Sequence, residues 1–398
     1  MRKRALLPPA LERIGKIGPG VFLAGIISFI ICMLYMRNTN GPEYVNTHWI
    51  QFYLYAWVIT MGYSLGCYGF MLLHYVVKGS WGYPVIRIWE AGARLLPLMG
   101  VLWLPIWYFA PLLYPWAQPH ITDPAMLHRA AYMNSMSVLV RAIFYFAFWI
   151  GTTYHLTGVS RRIEETRDVS MLRARTNLSS FLLVIFVLTV NFAVTDWVMS
   201  LEMHWYSTLF GLWFVVSETI CAVGLVAILT TLLRNDEPYK AVIDNSVRKD
   251  YGNLMLLAVM FWGYFSFSQW VIIWSGNLPD EIIFYLHRFT DYWLYVGAFI
   301  VIFQFFGPFV LLLSGKTKRY PLLVAGIASW LLFMRLVDIG WTIFPSFQAS
   351  NPIYIPIGIT LVLAFMGAWI TLLVQQLRGV QLISHVIPEP VEEVLNHA

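Results

Sequence analysis

Three cysteines in 398 residues are too few and too scattered to organise this chain: Cys32, Cys67 and Cys221 each sit within an apolar run. Neither a disulfide framework nor a thiolate metal cluster is open to it, so no zinc or iron–sulfur centre is expected from this chain alone. Charge is scarce as well. Only 12% of residues are Asp, Glu, Lys or Arg, against roughly 25% in an ordinary soluble domain. Hydrophobic residues make up 59% and the mean hydropathy is +0.65; a core that apolar needs lipid around it. Hydrophilic stretches long enough for a soluble domain are missing, so catalysis outside the membrane is expected from a partner. The start, MRKRALLPPALERIGK before an apolar run, lacks a small-residue cleavage site at YMRNTNGPE and reads as a retained first helix.

What is present is a set of ten long apolar segments, near residues 18–36, 51–77, 95–116, 136–157, 179–201, 206–233, 252–275, 285–313, 320–344 and 353–376. Each meets the requirement of about 20 residues to cross roughly 30 Å of hydrocarbon. Of the 26 Lys and Arg residues, 21 fall in the two tails and in every second loop, while only Arg37 and Arg129 fall on the other side. Basic residues stay cytoplasmic during insertion. The expectation is an all-α polytopic protein of a bacterial cytoplasmic (inner) membrane, with ten transmembrane helices and both termini cytoplasmic. Residues 1–398 read as one membrane domain with cytoplasmic tails at 1–17 and 377–398. The net charge of +5 follows from this bias; its basic residues are interleaved with Glu164, Glu165, Asp168, Asp236 and Glu237, which gives no nucleic-acid surface. Aromatics at segment ends, such as Trp103, Trp107, Tyr108, Tyr114 and Trp116, suit an interfacial belt.

Ionisable residues inside the bilayer carry more information, because each costs on the order of 3 kcal/mol on insertion scales and therefore needs a partner or a task. Arg141 lies in the fourth segment, Asn191 and Asp196 in the fifth, Glu218 in the sixth and Gln269 in the seventh. Arg288, Asp291 and Gln304 lie in the eighth, Arg335 and Asp338 in the ninth. His74, Glu90 and His155 stand at cytoplasmic ends. Such groups either lock helices together or relay protons. Arg335 and Asp338, three apart, share a helix face and can neutralise each other. Glu218, about 13 residues into its segment, has no cation in its own helix. A carboxyl so desolvated favours its neutral form, which suits a group that takes up and releases protons. His74 and His155 form the one histidine pair at similar depth, but too near the cytoplasmic ends for bilayer-embedded haem; they read as polar groups at a proton entrance.

An internal echo organises these residues. Arg141-AIFYFAFWI-Gly151 parallels Arg288-FTDYWLYV-Gly297, and Asp196 and Asp338 both lie near outer helix ends. Two pseudo-repeated four-helix bundles, 51–201 and 206–344, with peripheral first and last helices, account for this.

Four stretches are more specific than membrane packing requires: His74-YVVKGSWGYPVIRIWE-Ala91-GARLLP, His128-RAAYMN, Thr195-DWVMSLEMHWYST and Phe267-SQWVIIWSGNLPDE. With them the chain resembles, over nearly its whole length, the F subunit of bacterial alternative complex III, a quinol:cytochrome c oxidoreductase. That subunit is related to the membrane subunit of polysulfide reductase. The resemblance implies the two bundles and a subunit without a redox cofactor of its own that conducts protons. It also implies partners: a paralogous quinol-binding membrane subunit, an iron–sulfur subunit and haem c cytochromes, with menaquinol or another quinol as the complex's reductant. A proton-path role then carries over to Asp196, Glu218, Gln269, Arg335, Asp338 and the His74/Glu90 entrance. Arg129 departs from a Lys favoured after the histidine, with charge kept. Two other readings stay open: a quinone-binding membrane anchor of another molybdopterin/iron–sulfur oxidoreductase, and a secondary transporter, although the latter usually shows helices broken at the midplane.

Overall fold

The computed structural model describes residues 7–121, 123–202, 204–347 and 353–383, the side chains of Ala125, Asp280 and Asp291 excepted. Among the described residues ten helices are long and apolar enough to cross a membrane, and none forms a strand. The chain is an all-α, multi-pass membrane protein. Its spans are α1 (Pro9–Asn40), α2 (Pro42–Val77), α3 (Ile86–Tyr108), α4 (Ser135–Thr166) and α5 (Val169–Trp197). They continue as α6 (Phe210–Leu233), α7 (Asn245–Gly276), α8 (Tyr292–Leu313), α9 (Pro321–Ile343) and α10 (Tyr354–Leu377). Alternation of direction puts the basic loops on one face, called here the basic face.

Several helix ends are built from side chains that supply the acceptors a helix start lacks. Asn134, Asp168 and Asp244 cap α4, α5 and α7 through the backbone N–H groups of Ser137, Ser170 and Val247, at 2.9, 2.8 and 2.8 Å. A single residue, Gly41, joins α1 to α2 with φ 93°, in the left-handed region that favours glycine.

Helices α2 to α5 close a ring, each on the next and α5 back on α2, and α6 to α9 close a second ring in the same way. The rings meet where α2 and α5 pack on α6 and α2 touches α9. Outside them α1 and α10 run together along α2. Their approach is close because Gly25 and Gly367 face backbone: a Cβ on either would sit 2.4 Å from Ala364 N or 2.5 Å from Phe22 N. Small residues permit such contact where no hydrophobic effect drives helices together in lipid.

Three boundaries depart from the sequence reading, and each moves a functional residue. Helix α3 begins before 95, so Arg87 and Glu90 are within it rather than in a loop or at its edge. Arg288 ends a separate short helix, Pro279–Arg288, and the eighth span starts only after it. Residues 204–209 form no span, so α6 starts at Phe210 and Glu218 sits roughly 12 Å from that end, within about 6 Å of the helix's midpoint. In α8 the hydrogen-bond ladder widens to a π-turn over Val301–Phe306. Pro308 follows at once, and a proline's ring crowds the carbonyl four residues back.

Candidate functional site

The ring-to-ring seam holds a cavity of about 30 Å³ lined by Trp57, Gly62, Trp197, Phe214, Glu218, Cys221 and Arg335 among others. That is room for one or two water molecules. Glu218 is 4% exposed and its Oε2 has no hydrogen-bond partner. Gly62 leaves the space beside it: a Cβ there would lie 3.9 Å from Glu218 Cγ. On α9, Arg335 Nη1 donates to Asp338 Oδ2 at 2.5 Å, and the same oxygen accepts from Trp262 Nε1 at 3.1 Å and Gln304 Nε2 at 3.2 Å. Gln304 belongs to the π-turn, a helix defect often found at functional positions. Below the guanidinium lie the rings of Trp213 and Phe214, 5.0 and 5.5 Å from Arg335 Cζ, within cation–π range.

A second buried network occupies the basic-face end of the first ring. Arg87, 2% exposed, pairs with Glu90 at 2.5 Å and with Glu164. Glu90 also accepts from the Tyr75 hydroxyl at 2.6 Å and Ser160 Oγ at 2.9 Å. Arg175 donates to Ser160 Oγ at 3.2 Å and lies 4.0 Å over the Tyr75 ring. His74, the residue before Tyr75 on α2, is buried among Trp81, Tyr83 and Gly82, with Nδ1 unpartnered.

Two further ion pairs stand at the opposite face. Arg141 grips Asp196 bidentately through Nε and Nη2, at 2.8 and 2.9 Å, and the Tyr145 hydroxyl adds a bond of 3.2 Å. Glu202 binds Arg288 Nη1 at 3.0 Å, Ser346 Oγ at 2.8 Å and His287 Nδ1 at 3.2 Å. Arg288, fully buried, spends its other donors on the carbonyls of Phe284, Trp341 and Thr342 and on Ser346, tying the two rings' ends together. Burial pushes the Glu202 carboxyl up, but Arg288, Ser346 and His287 outweigh it and hold it below the usual glutamate range. Nearby, Ser207 Oγ donates to Gln269 Oε1 at 3.1 Å.

The residues expected from sequence thus fall into four clusters. Glu218, Arg335 and Asp338 come together; so do Arg141 and Asp196; Arg288 and Gln269 stand near the Glu202 connection; Glu90 anchors the basic-face network with His74 beside it. His155 is exposed on α4 and joins none of them. The side chain of Asp291 lies outside those described. Arg87, Glu164, Tyr75, Ser160, Glu202 and Trp262 were not anticipated. For Arg87 the signal was present, since Arg87 and Glu90 repeat the three-residue spacing of Arg335 and Asp338; for Glu202 it was the SLEMHWYST stretch itself. Among the described residues no group of three or more His, Cys, Asp or Glu could hold a metal ion.

Comparison of the chain with models of known protein families and with characterised proteins returns no match.

Proposed function

We propose that this chain is an integral membrane subunit of a quinol:electron-acceptor oxidoreductase of the alternative complex III kind, contributing a proton-conducting path and a surface for assembly. The observation that carries the reading is Glu218: a buried carboxyl with a free oxygen in a water-sized cavity. An acid that served only packing would be paired or replaced by an apolar group, because an unsatisfied buried carboxyl costs stability. Polar groups that protons can use lie on both sides of it: the Glu90–Tyr75–Ser160 network towards the basic face, and the Asp196 and Glu202 clusters towards the opposite face.

In this reading the basic face is cytoplasmic, in a bacterial inner membrane. The chain holds no redox cofactor. Quinol, haem c and iron–sulfur clusters belong to partners, among them a paralogous membrane subunit. The four sequence stretches quoted above support the assignment, and the loops leave electron transfer to other chains.

Replacing Glu218 by Gln keeps size and hydrogen bonding while removing the titratable proton. The assembled complex is expected to keep its cofactor content and subunit stoichiometry and to lose proton translocation or slow its quinol oxidation. Unchanged turnover and proton-to-electron ratio in a fully assembled variant would reduce Glu218 to packing. Failure of the tagged chain to copurify with a multihaem cytochrome c would count against the complex itself.

A further inference from the structure

From the same cavity we infer that Arg335 is shared between two carboxyls: when Glu218 gives up its proton, the guanidinium turns from Asp338 to the Glu218 carboxylate, and it returns on reprotonation. This rests on the relay reading of Glu218 and names its positioning residue.

Three observations carry it. First, Asp338 can release the cation without being orphaned, because Trp262 Nε1 and Gln304 Nε2 already donate to the oxygen that Arg335 holds. Second, the guanidinium has donors to spare. Its hydrogen bond to a carboxylate uses Nη1 alone, and the Cys221 thiol on α6 is its other side-chain hydrogen-bond partner, although the residue is only 5% exposed. A guanidinium with five N–H donors and only Asp338 and Cys221 to receive them lines the same small cavity as a buried carboxyl with an unspent oxygen. Third, no other cation lines it. The titratable groups near Glu218 are Tyr63 and Cys67 from α2, Cys221 on its own helix and Arg335 from α9, while α5 contributes Val194, Trp197 and Val198.

The energetics set the order of events. An ionised Glu218 left alone in this wall would be an uncompensated buried charge, which is strongly unfavourable. As the carboxyl O–H bond breaks, the proton passes to cavity water and the carboxylate gains the nearest cation. Asp338, left with two neutral donors, is then the weaker-paired anion, so the exchanged state is the higher in energy and reverts once Glu218 is protonated. Trp213 and Phe214 offer the guanidinium an aromatic surface to slide on. The exchange joins α6 to α9 in one charge state and leaves α9 self-paired in the other.

Infrared difference spectroscopy on the full-length chain, taken with any subunits that copurify, tests this after pH steps in lipid nanodiscs with guanidino-labelled arginine. Glu218→Gln assigns the protonated-carboxyl band. The charge-neutral double variant Arg335→Gln/Asp338→Asn assigns the guanidinium band, and Arg335→Lys assigns it should the double variant fail to assemble. The expected result is loss of the Glu218 band together with a shift of the Arg335 band, the latter absent in Glu218→Gln. A Glu218 band that disappears while the Arg335 band stays put overturns the exchange and leaves the relay standing. A Glu218 band that persists at every pH at which the protein stays folded overturns both.

Discussion

Asp338→Asn is the most demanding test of how the seam is held. Asp338 is 1% exposed and Arg335 5%, so removing the anion strands a guanidinium with no route to water. Breaking a buried pair from one side costs about 3–5 kcal/mol. Glu218, across the cavity, offers that guanidinium a second anion, and accepting it would recover part of the loss. The single variant should therefore be destabilised by about 2 kcal/mol, Glu218→Gln by about 1 or less, and the double variant by more than their sum, with a coupling of about 1–3 kcal/mol. Denaturant unfolding of the four proteins in mixed micelles, followed by far-UV circular dichroism, gives the cycle directly. Costs that add to within about 0.5 kcal/mol would show that the two carboxyls do not compete for one cation, and would refute the reasoning.

Other perturbations follow from the same packing. Gly66→Ala would put a Cβ 2.3 Å from the Glu218 carbonyl oxygen; backbone cannot yield as a side chain can, so α2 and α6 should be forced apart at about 1–3 kcal/mol, seen as a lower melting temperature. Asp196→Asn should cost less than Asp338→Asn, about 1 kcal/mol, because the Arg141 side chain is 19% exposed and can turn to boundary water; equal costs in the two variants would contradict this. At the opposite face, Glu202 is held below its ordinary value of 4.5, so the stability it contributes is complete above that pH and is lost as pH falls through the depressed value. Thermal unfolding from neutral pH downward should show that loss in the native chain and a flatter profile in Glu202→Gln.

The ten spans were legible because apolar length and the placement of basic residues are properties of single segments and need no tertiary knowledge. The clusters were partly legible for the same reason: Arg335 and Asp338 announce themselves by spacing within one helix. What escaped was decided between segments or at their ends. Arg87 counted as one more cytoplasmic cation because nothing local reveals that Glu164, 77 positions away, will meet it. Glu202 lies just past the fifth apolar segment, where nothing local shows that Arg288, Ser346 and His287 enclose it. The start of the sixth segment was placed four residues early because the aromatic residues at 205 and 206 extend the apolar run without extending the helix, which starts at Phe210. Pro308 stands inside the eighth apolar segment, but its consequence, a π-turn that presents Gln304 to Asp338, requires a neighbouring helix to have meaning.

Four of the Arg–carboxylate pairs among the described residues divide into two kinds, and the division isolates Glu218. Arg87–Glu90 and Arg335–Asp338 are three residues apart in one helix. Each can close as soon as its helix forms, so α3 and α9 enter lipid with that charge already neutralised. Arg141–Asp196 and Arg288–Glu202 join different elements. Their members lie near span ends, where long side chains reach the interface until packing brings the partners together. Glu218 has neither recourse: no cation lies within a turn of it in α6, and at roughly 12 Å from the helix end a glutamate cannot reach the interface. It can enter the membrane only as the neutral acid. A side chain obliged to carry a proton inward during assembly, then left beside a water-sized cavity with one oxygen free, is already equipped to hand that proton on.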